Sequence, residues 1–155
     1  MLFSGILNCP LGEILIQDNA KEILSVEFLD STNFEIPPPS ALTKEAIKQL
    51  QEYFLKKRKS FNLPLKMQGS PFQKSVWESL LKIPYGSTKS YKDIAISINN
   101  KNASRAVGSA NNKNKIAIFI PCHRAISANG KINGYAAGVD KKRFLLELEG
   151  IFLKH

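Results

Sequence analysis

A chain of 155 residues that is 43% hydrophobic suits one domain or two small lobes sharing a core, and is ordinary for a globular protein. Two cysteines and two histidines exclude a disulfide-stapled scaffold, and exclude a familiar structural zinc site unless carboxylates help. The formal net charge of +9 is lopsided: residues 1–70 balance acids and bases, so the whole surplus lies in residues 71–155, where a polyanionic partner and a solvated lysine surface are both open readings.

Residues 1–5 lack the basic and apolar regions of a signal peptide, and no apolar run approaches membrane-spanning length. A soluble, cytoplasmic protein without membrane partners is therefore expected.

In chain order, residues 2–8, 13–17 and 23–29 read as three short strands separated by the turn signals Pro10-Leu-Gly12 and Asp18-Asn19. They predict an antiparallel meander. Phe34 to Ser40, with three consecutive prolines, reads as an extended connector. Thr43 is the expected N-cap of a helix with Ala46, Ile47, Leu50, Tyr53 and Phe54 on one face, closed by the basic cluster 56–59. Ser70 with Pro71 at the first helical position opens a second helix, whose core face carries Phe72, Val76, Trp77, Leu80 and Ile83.

The next stretch resembles a helix-turn-helix. Ser90 caps a helix carrying Tyr91, Ile94, Ala95 and Ile98; residues 99–102 turn; residues 103–111 form a second helix. That second helix consists of small residues around one long side chain, Arg105, and Gly108 within it lowers its propensity. Small residues allow close approach to a surface, and a projecting Arg can enter a groove. A tight helix–helix contact accounts for the same residues equally well.

The apolar run 116–120 reads as a short buried strand or core segment that Pro121 ends. Cys122, His123 and Arg124 follow at once. A thiolate nucleophile needs a base and positive charge nearby, and these neighbours are candidates for both. Adjacent residues point apart in extended chain, so Cys122 and His123 cooperate only if the chain turns at Pro121 or a water bridges them. The residue types alone leave a reactive Cys122 and an inert buried one equally open.

Further motifs occur in a telling order: Phe72-Gln-Lys-Ser-Val-Trp77, Ile83-Pro-Tyr-Gly86, Ser90-Tyr91, Arg105-Ala-Val-Gly108, Ala110-Asn111, Asn114, Pro121-Cys-His-Arg124, Gly134-Tyr135 and Leu145-Leu-Glu-Leu-Glu-Gly150. The chain resembles the O6-alkylguanine-DNA alkyltransferases, strongly over residues 63–150 and weakly before them. The resemblance implies an α/β fold in two lobes. Residues 1–66 would form a small ribonuclease-H-like antiparallel sheet with one helix, and residues 67–155 a mainly helical lobe with a helix-turn-helix.

It also implies direct repair of O6-alkylguanine in double-stranded DNA, by irreversible stoichiometric transfer to a protein cysteine, in a monomer with no cofactor and no metal (nuclear if the source is eukaryotic). Cys122 would accept the alkyl group, and His123 would take its proton through a water. Glu149 would orient that imidazole, Asn114 would brace the turn, and Tyr91 would donate to the departing base. Tyr135, Ala136 and the backbone to Gly138 would wall the pocket, with the Ala125 carbonyl accepting from the guanine amine. Arg105 would replace the flipped nucleotide, with Ser104, Ala106, Gly108 and Arg124 at the DNA surface. Lys115 where proline is usual is expected to loosen its turn. Ala125 for valine widens the pocket, and Ala137, Ser104 and Ser109 are further departures. A non-catalytic alkyltransferase-like protein is expected to lack the acceptor cysteine. A plain helix-turn-helix regulator leaves Cys122, His123 and Glu149 unexplained.

Overall fold

A computed structural model of the chain describes residues 1–30, 35–132 and 134–153. The start of the connector, Phe34, lies outside the described residues. Contacts divide the chain into two compact units, residues 1–67 with 115–117, and residues 68–114 with 118–155.

In the first unit, β1 (Phe3–Cys9), β2 (Gly12–Asp18) and β3 (Ile23–Leu29) form an antiparallel sheet in sequence order, the expected meander. Its register runs Phe3 to Asp18 and Glu13 to Leu29, with a bulge at Gln17/Asp18. The central strand buries Ile14, Leu15 and Ile16 in succession, as a strand covered on both faces must. The outer edge of β3 is not left open. Ile23 N–H donates to the Pro64 carbonyl at 2.8 Å, and Val26 N–H donates to the Lys115 carbonyl at 2.8 Å. Unpaired edge groups are thereby satisfied by two short parallel additions.

Helix α1 (Ala41–Phe54) packs on β1 where Gly5 lies; a Cβ there would come within 2.8 Å of Ile47 and Thr43 side-chain carbons. The helix begins before the expected Thr43 cap. Ser40 is the N-cap and Thr43, at the third helical position, closes a capping box with it: Thr43 N–H reaches Ser40 Oγ at 3.1 Å and Ser40 N–H reaches Thr43 Oγ1 at 3.0 Å. Both hydroxyls also donate to the fully buried carboxylate of Asp18, from Ser40 at 2.6 Å. The basic cluster lies beyond the helix end, and its Arg58 pairs with Glu52 at 2.9 Å.

In the second unit, Ser70 caps α2 (Pro71–Leu81) as the sequence predicts, in a capping box with Gln73. Val76, Trp77, Leu80 and Ile83 are buried, whereas Phe72 is only half-buried. A two-residue strand β4 (Lys89–Ser90) leads into α3 (Tyr91–Ser97), which Ser90 and Asp93 box. Asn99, at φ 60°, sits in the turn before α4 (Ser104–Asn112). Trp77 Nε1 donates to the Ala110 carbonyl at 2.9 Å, locking α2 to α4.

The apolar run before Cys122 is buried but is not a regular strand, because Ile118 takes φ 70° and breaks the pleat. Lys115–Ala117, expected in the second lobe, belongs to the first unit. The Lys115 carbonyl is held by β3, so the backbone there is fixed by a ladder bond rather than loosened. Last come a 3-10 turn (Cys122–Arg124), β5 (Ala125–Ile126), which pairs parallel with β4, and α5 (Val139–Leu148).

Replacing Thr43 by Val removes a donor to the buried Asp18 carboxylate and one half of the capping box. Urea unfolding is expected to show a loss of about 1–3 kcal/mol; an unchanged midpoint would mean that Asp18 is satisfied without it.

Candidate active site

The chain does turn at Pro121. Its φ of −79° and ψ of 64° make an inverse γ-turn, and Cys122 N–H donates back to the Ile120 carbonyl at 2.7 Å. The 3-10 turn then buries Cys122, His123 and Arg124 together. Two amides hold this corner: Asn114 Nδ2 donates to the Ile120 carbonyl at 3.0 Å, and Asn111 Nδ2 to the Cys122 carbonyl at 3.3 Å.

Helix α5 supplies the other side. Gly150, at φ 87°, follows its end and leaves Glu149 as the C-cap. The Glu149 side chain is fully buried and accepts from four donors. His123 Nε2 lies 2.7 Å from Oε2, Arg124 Nε 2.8 Å from Oε1, Arg124 Nη2 3.1 Å from Oε2, and Gly86 N–H 3.1 Å from Oε1. The guanidinium cannot accept, so this carboxylate meets donors only, and His123 must carry its proton on Nε2. Burial pushes the imidazole below its ordinary pKa of 6.5, against the opposing bond and charge of Glu149, with the Arg124 and Lys142 charges adding to the depression. The ring is therefore neutral at pH 7. Nδ1 is buried, makes no hydrogen bond among the described residues, and keeps its lone pair.

Burial raises the Cys122 thiol. The neighbouring Asn114 amide and Tyr135 hydroxyl, the charge of Lys142 and its own backbone N–H work against that rise. Tyr91, first residue of α3, has its phenol raised by burial and then by the Cys122 charge. A Cβ on Gly134 would lie 4.0 Å from the Tyr91 hydroxyl, so the loop before α5 borders the same place. The fold thus gathers Cys122, His123, Glu149, Asn114, Tyr91, Tyr135 and Ala125, while Ala136 stands exposed in that loop. The arrangement is a thiol with two neutral donors, a neutral base next in the chain and an ordered carboxylate behind that base. It suits nucleophilic transfer to sulfur.

Arg124 is corrected. Expected at a DNA surface, it is 6% exposed, grips Glu149 through two nitrogens, donates from Nη1 to the Ile83 carbonyl at 2.7 Å, and lies over the Tyr85 ring. It is an internal brace, with each of its three guanidinium nitrogens already donating inside the protein.

The other expected DNA residues lie on α4. Val107, Ala110 and Asn111 face inward, Arg105, Ala106 and Ser109 are exposed, and Ser104 and Gly108 are partly so. A Cβ on Gly108 would meet nothing within 4 Å, so that position presents open surface. The N-cap, Ala103, makes no side-chain cap, leaving first-turn N–H groups without a capping oxygen.

Two residues near the thiol receive no role from the sequence. Asn111, quoted only within the Ala110-Asn111 motif, is one. Lys142 is the other: wholly buried, it donates from Nζ to the Ala125 carbonyl at 2.6 Å and sits 5.8 Å from the Tyr91 ring centroid. A signal existed, since Lys142, Leu145, Leu146 and Glu149 recur at the spacing of one helix face. A lysine on such an apolar stripe needs a reason.

Comparison with known proteins matches residues 2–67 to the ribonuclease-like domain, and residues 71–151 to the DNA-binding domain, of 6-O-methylguanine DNA methyltransferase. A methylated-DNA–protein-cysteine methyltransferase of Methanosarcina barkeri is 48% identical over 96% of this chain and 97% of its own length. The crystal structure of Mycobacterium tuberculosis O6-methylguanine methyltransferase superposes with a TM-score of 0.88 at 40% identity, covering 96% of this chain and 93% of that one. The same organism's protein in complex with DNA matches with a TM-score of 0.86 at 41% identity, over 93% and 90% of the two chains.

Replacing Arg124 by Ala leaves Glu149 buried without its cation. Stability is expected to fall by about 3–5 kcal/mol, while the salt dependence of duplex binding by the folded fraction stays unchanged. A reduced salt slope would return Arg124 to the DNA surface.

Proposed function

This chain belongs to the 6-O-methylguanine DNA methyltransferase family, and from that premise we propose that it repairs O6-alkylguanine in duplex DNA by moving the alkyl group onto Cys122. The observation that carries the proposal is the buried thiol at the Pro121 corner, beside a neutral imidazole whose tautomer Glu149 sets.

His123 Nδ1 takes the thiol proton through a bridging water. The Cys122 thiolate attacks the alkyl carbon, an S–C bond forms, the C–O6 bond breaks and its electron pair remains on guanine. The Tyr91 hydroxyl donates a hydrogen bond to the departing base, which stabilises the guanine anion as it forms, and that anion takes up a proton from water once released. Asn114 and Tyr135 stabilise the sulfur before attack, the Ala125 carbonyl accepts from the guanine amine, and the loop with Ala136 walls the pocket. The product is a thioether, which no group in the site reverses. Each molecule acts once, and no cofactor enters the balance.

A base within a duplex cannot reach a buried thiol, so the target nucleotide must leave the stack. Helix α4 is suited to this. Its small exposed face, with Ser104, Ala106 and Gly108, can approach the minor groove closely, and Arg105 fills the gap. The charge surplus of residues 71–155 adds non-specific attraction to phosphate. The protein acts as a monomer in the cytoplasm, and among the described residues no helix is long and apolar enough to cross a membrane.

Two experiments test this reading. After incubation with duplex DNA containing O6-methylguanine, mass spectrometry is expected to show a gain of one methyl, mapped to the Cys122 peptide and absent from Cys122→Ala. Label on the Ala variant would refute the assignment. Arg105→Ala is expected to slow repair in duplex DNA by roughly tenfold or more, with little change toward free O6-benzylguanine, which needs no flipping. Equal slowing of both would make Arg105 a structural residue of α4.

A further inference from the structure

Lys142 is the buried charge that the proton relay does not use. Ammonium groups are rarely buried so fully, yet Lys142 has no exposed surface and donates at 2.6 Å to a backbone carbonyl. The carbonyl belongs to Ala125, three residues beyond the thiol and joined to it by the 3-10 turn. From α3 the Tyr91 ring faces the ammonium, its centroid 5.8 Å from Nζ.

The other charges around the sulfur cancel. Arg124 and Glu149 form a closed pair, and His123 is neutral behind it. A thiolate formed at Cys122 is an anion without a counter-charge in a buried corner unless a cation bears on it, and Lys142 is a cation whose charge does so.

We propose that Lys142 is the positioning residue of the nucleophile: its ammonium, pinned by the Ala125 carbonyl, supplies the positive charge that offsets the cost burial places on the Cys122 thiolate. The proposal rests on the alkyl-transfer reading for its purpose. Its chemistry, thiolate stabilisation, is measurable without DNA.

The direction with pH comes from the same contacts. Burial lowers Lys142 to about 8, while the Cys122 anion raises it. The charge is thus present at pH 7 and lost as pH rises through about 8. Among the described residues, the other groups that act on the sulfur are the Asn114 amide and the Tyr135 and Tyr91 hydroxyls; none is cationic, so none replaces the charge once it is lost. The two groups titrate as a pair, and each midpoint responds to the other.

The test uses the full chain with Cys9→Ser, which leaves one thiol, and follows carbamidomethylation of Cys122 by iodoacetamide against pH. Lys142→Met and Lys142→Gln are both expected to raise the thiol midpoint by about one pH unit and to slow the reaction about tenfold at pH 7. The Gln amide can still donate to the Ala125 carbonyl, so a Gln variant that behaves like wild type would show that the hydrogen bond and not the charge matters, and would overturn the proposal. Folded variants with an unmoved midpoint would do the same.

A second measurement needs no substitution at Lys142. The Lys142 side-chain carbon, followed by NMR, is expected to titrate at lower pH once iodoacetamide has blocked Cys122, because the anion that raises it is gone. An unmoved midpoint would overturn the proposal. Failure of methyl transfer from damaged DNA, with these couplings intact, would instead overturn the functional reading and leave the Lys142–Cys122 pairing standing.

Discussion

One carboxylate, that of Glu149, carries the arrangement. It is buried, accepts two bonds from Arg124, one from the Gly86 backbone, and meets His123 Nε2 at 2.7 Å. A buried carboxylate is costly unless its charge is matched and its lone pairs are filled, and here both conditions hold. The consequence is directional. An acceptor surrounded by donors dictates which imidazole nitrogen is protonated, and so which is left basic. That tautomer is the one the proposed proton transfer needs, and it is set before any substrate arrives, which would spare reorganisation during the reaction.

The same turn that makes the site ties it to α4. Asn111, on the inner face of α4, holds the Cys122 carbonyl, and Trp77 holds the carbonyl of Ala110 from α2. The outer face of α4 is therefore placed with respect to the thiol through two side-chain bonds. Small residues suffice on that outer face because α4 gets its stability from Val107 and Ala110 packed inward, a case of tertiary burial overriding weak helix propensity. The first unit contributes in its own way: three strands and α1 close around Ile14, Ile16 and Leu50, and short parallel segments cover the edge of β3.

Much of this is legible in the chain. Strong local signals carry through to the structure: the meander with its turns, the Ser70-Pro71 start of α2, the Ser90 cap, and the ordered motifs around Cys122. The failures have physical causes. Ser40 and Thr43 are both good caps, and only the position of Asp18 across the sheet makes the pair a box with Ser40 first. The apolar run 116–120 reads as a strand or a core segment and proves to be the second; pattern cannot register the positive φ at Ile118 that separates the two. Arg124 looks like a DNA contact because sequence shows a cation next to a reactive residue and not which way it points; its partner lies 25 residues away in Glu149. Lys142 passes unnoticed because a lysine is read as solvated by default, although its spacing to Leu145, Leu146 and Glu149 marks it as facing inward.

The claim that most of this depends on is the protonation state of His123, and 15N NMR of the imidazole reads it directly. With His155→Gln leaving one histidine in the chain, the spectrum at pH 7 is expected to show a neutral ring with the proton on Nε2. That state should persist below pH 6.5, since burial lowers the pKa of the folded form. An imidazolium at pH 7, or a neutral ring protonated on Nδ1, would contradict the account, because neither leaves a lone pair on Nδ1 for the thiol proton.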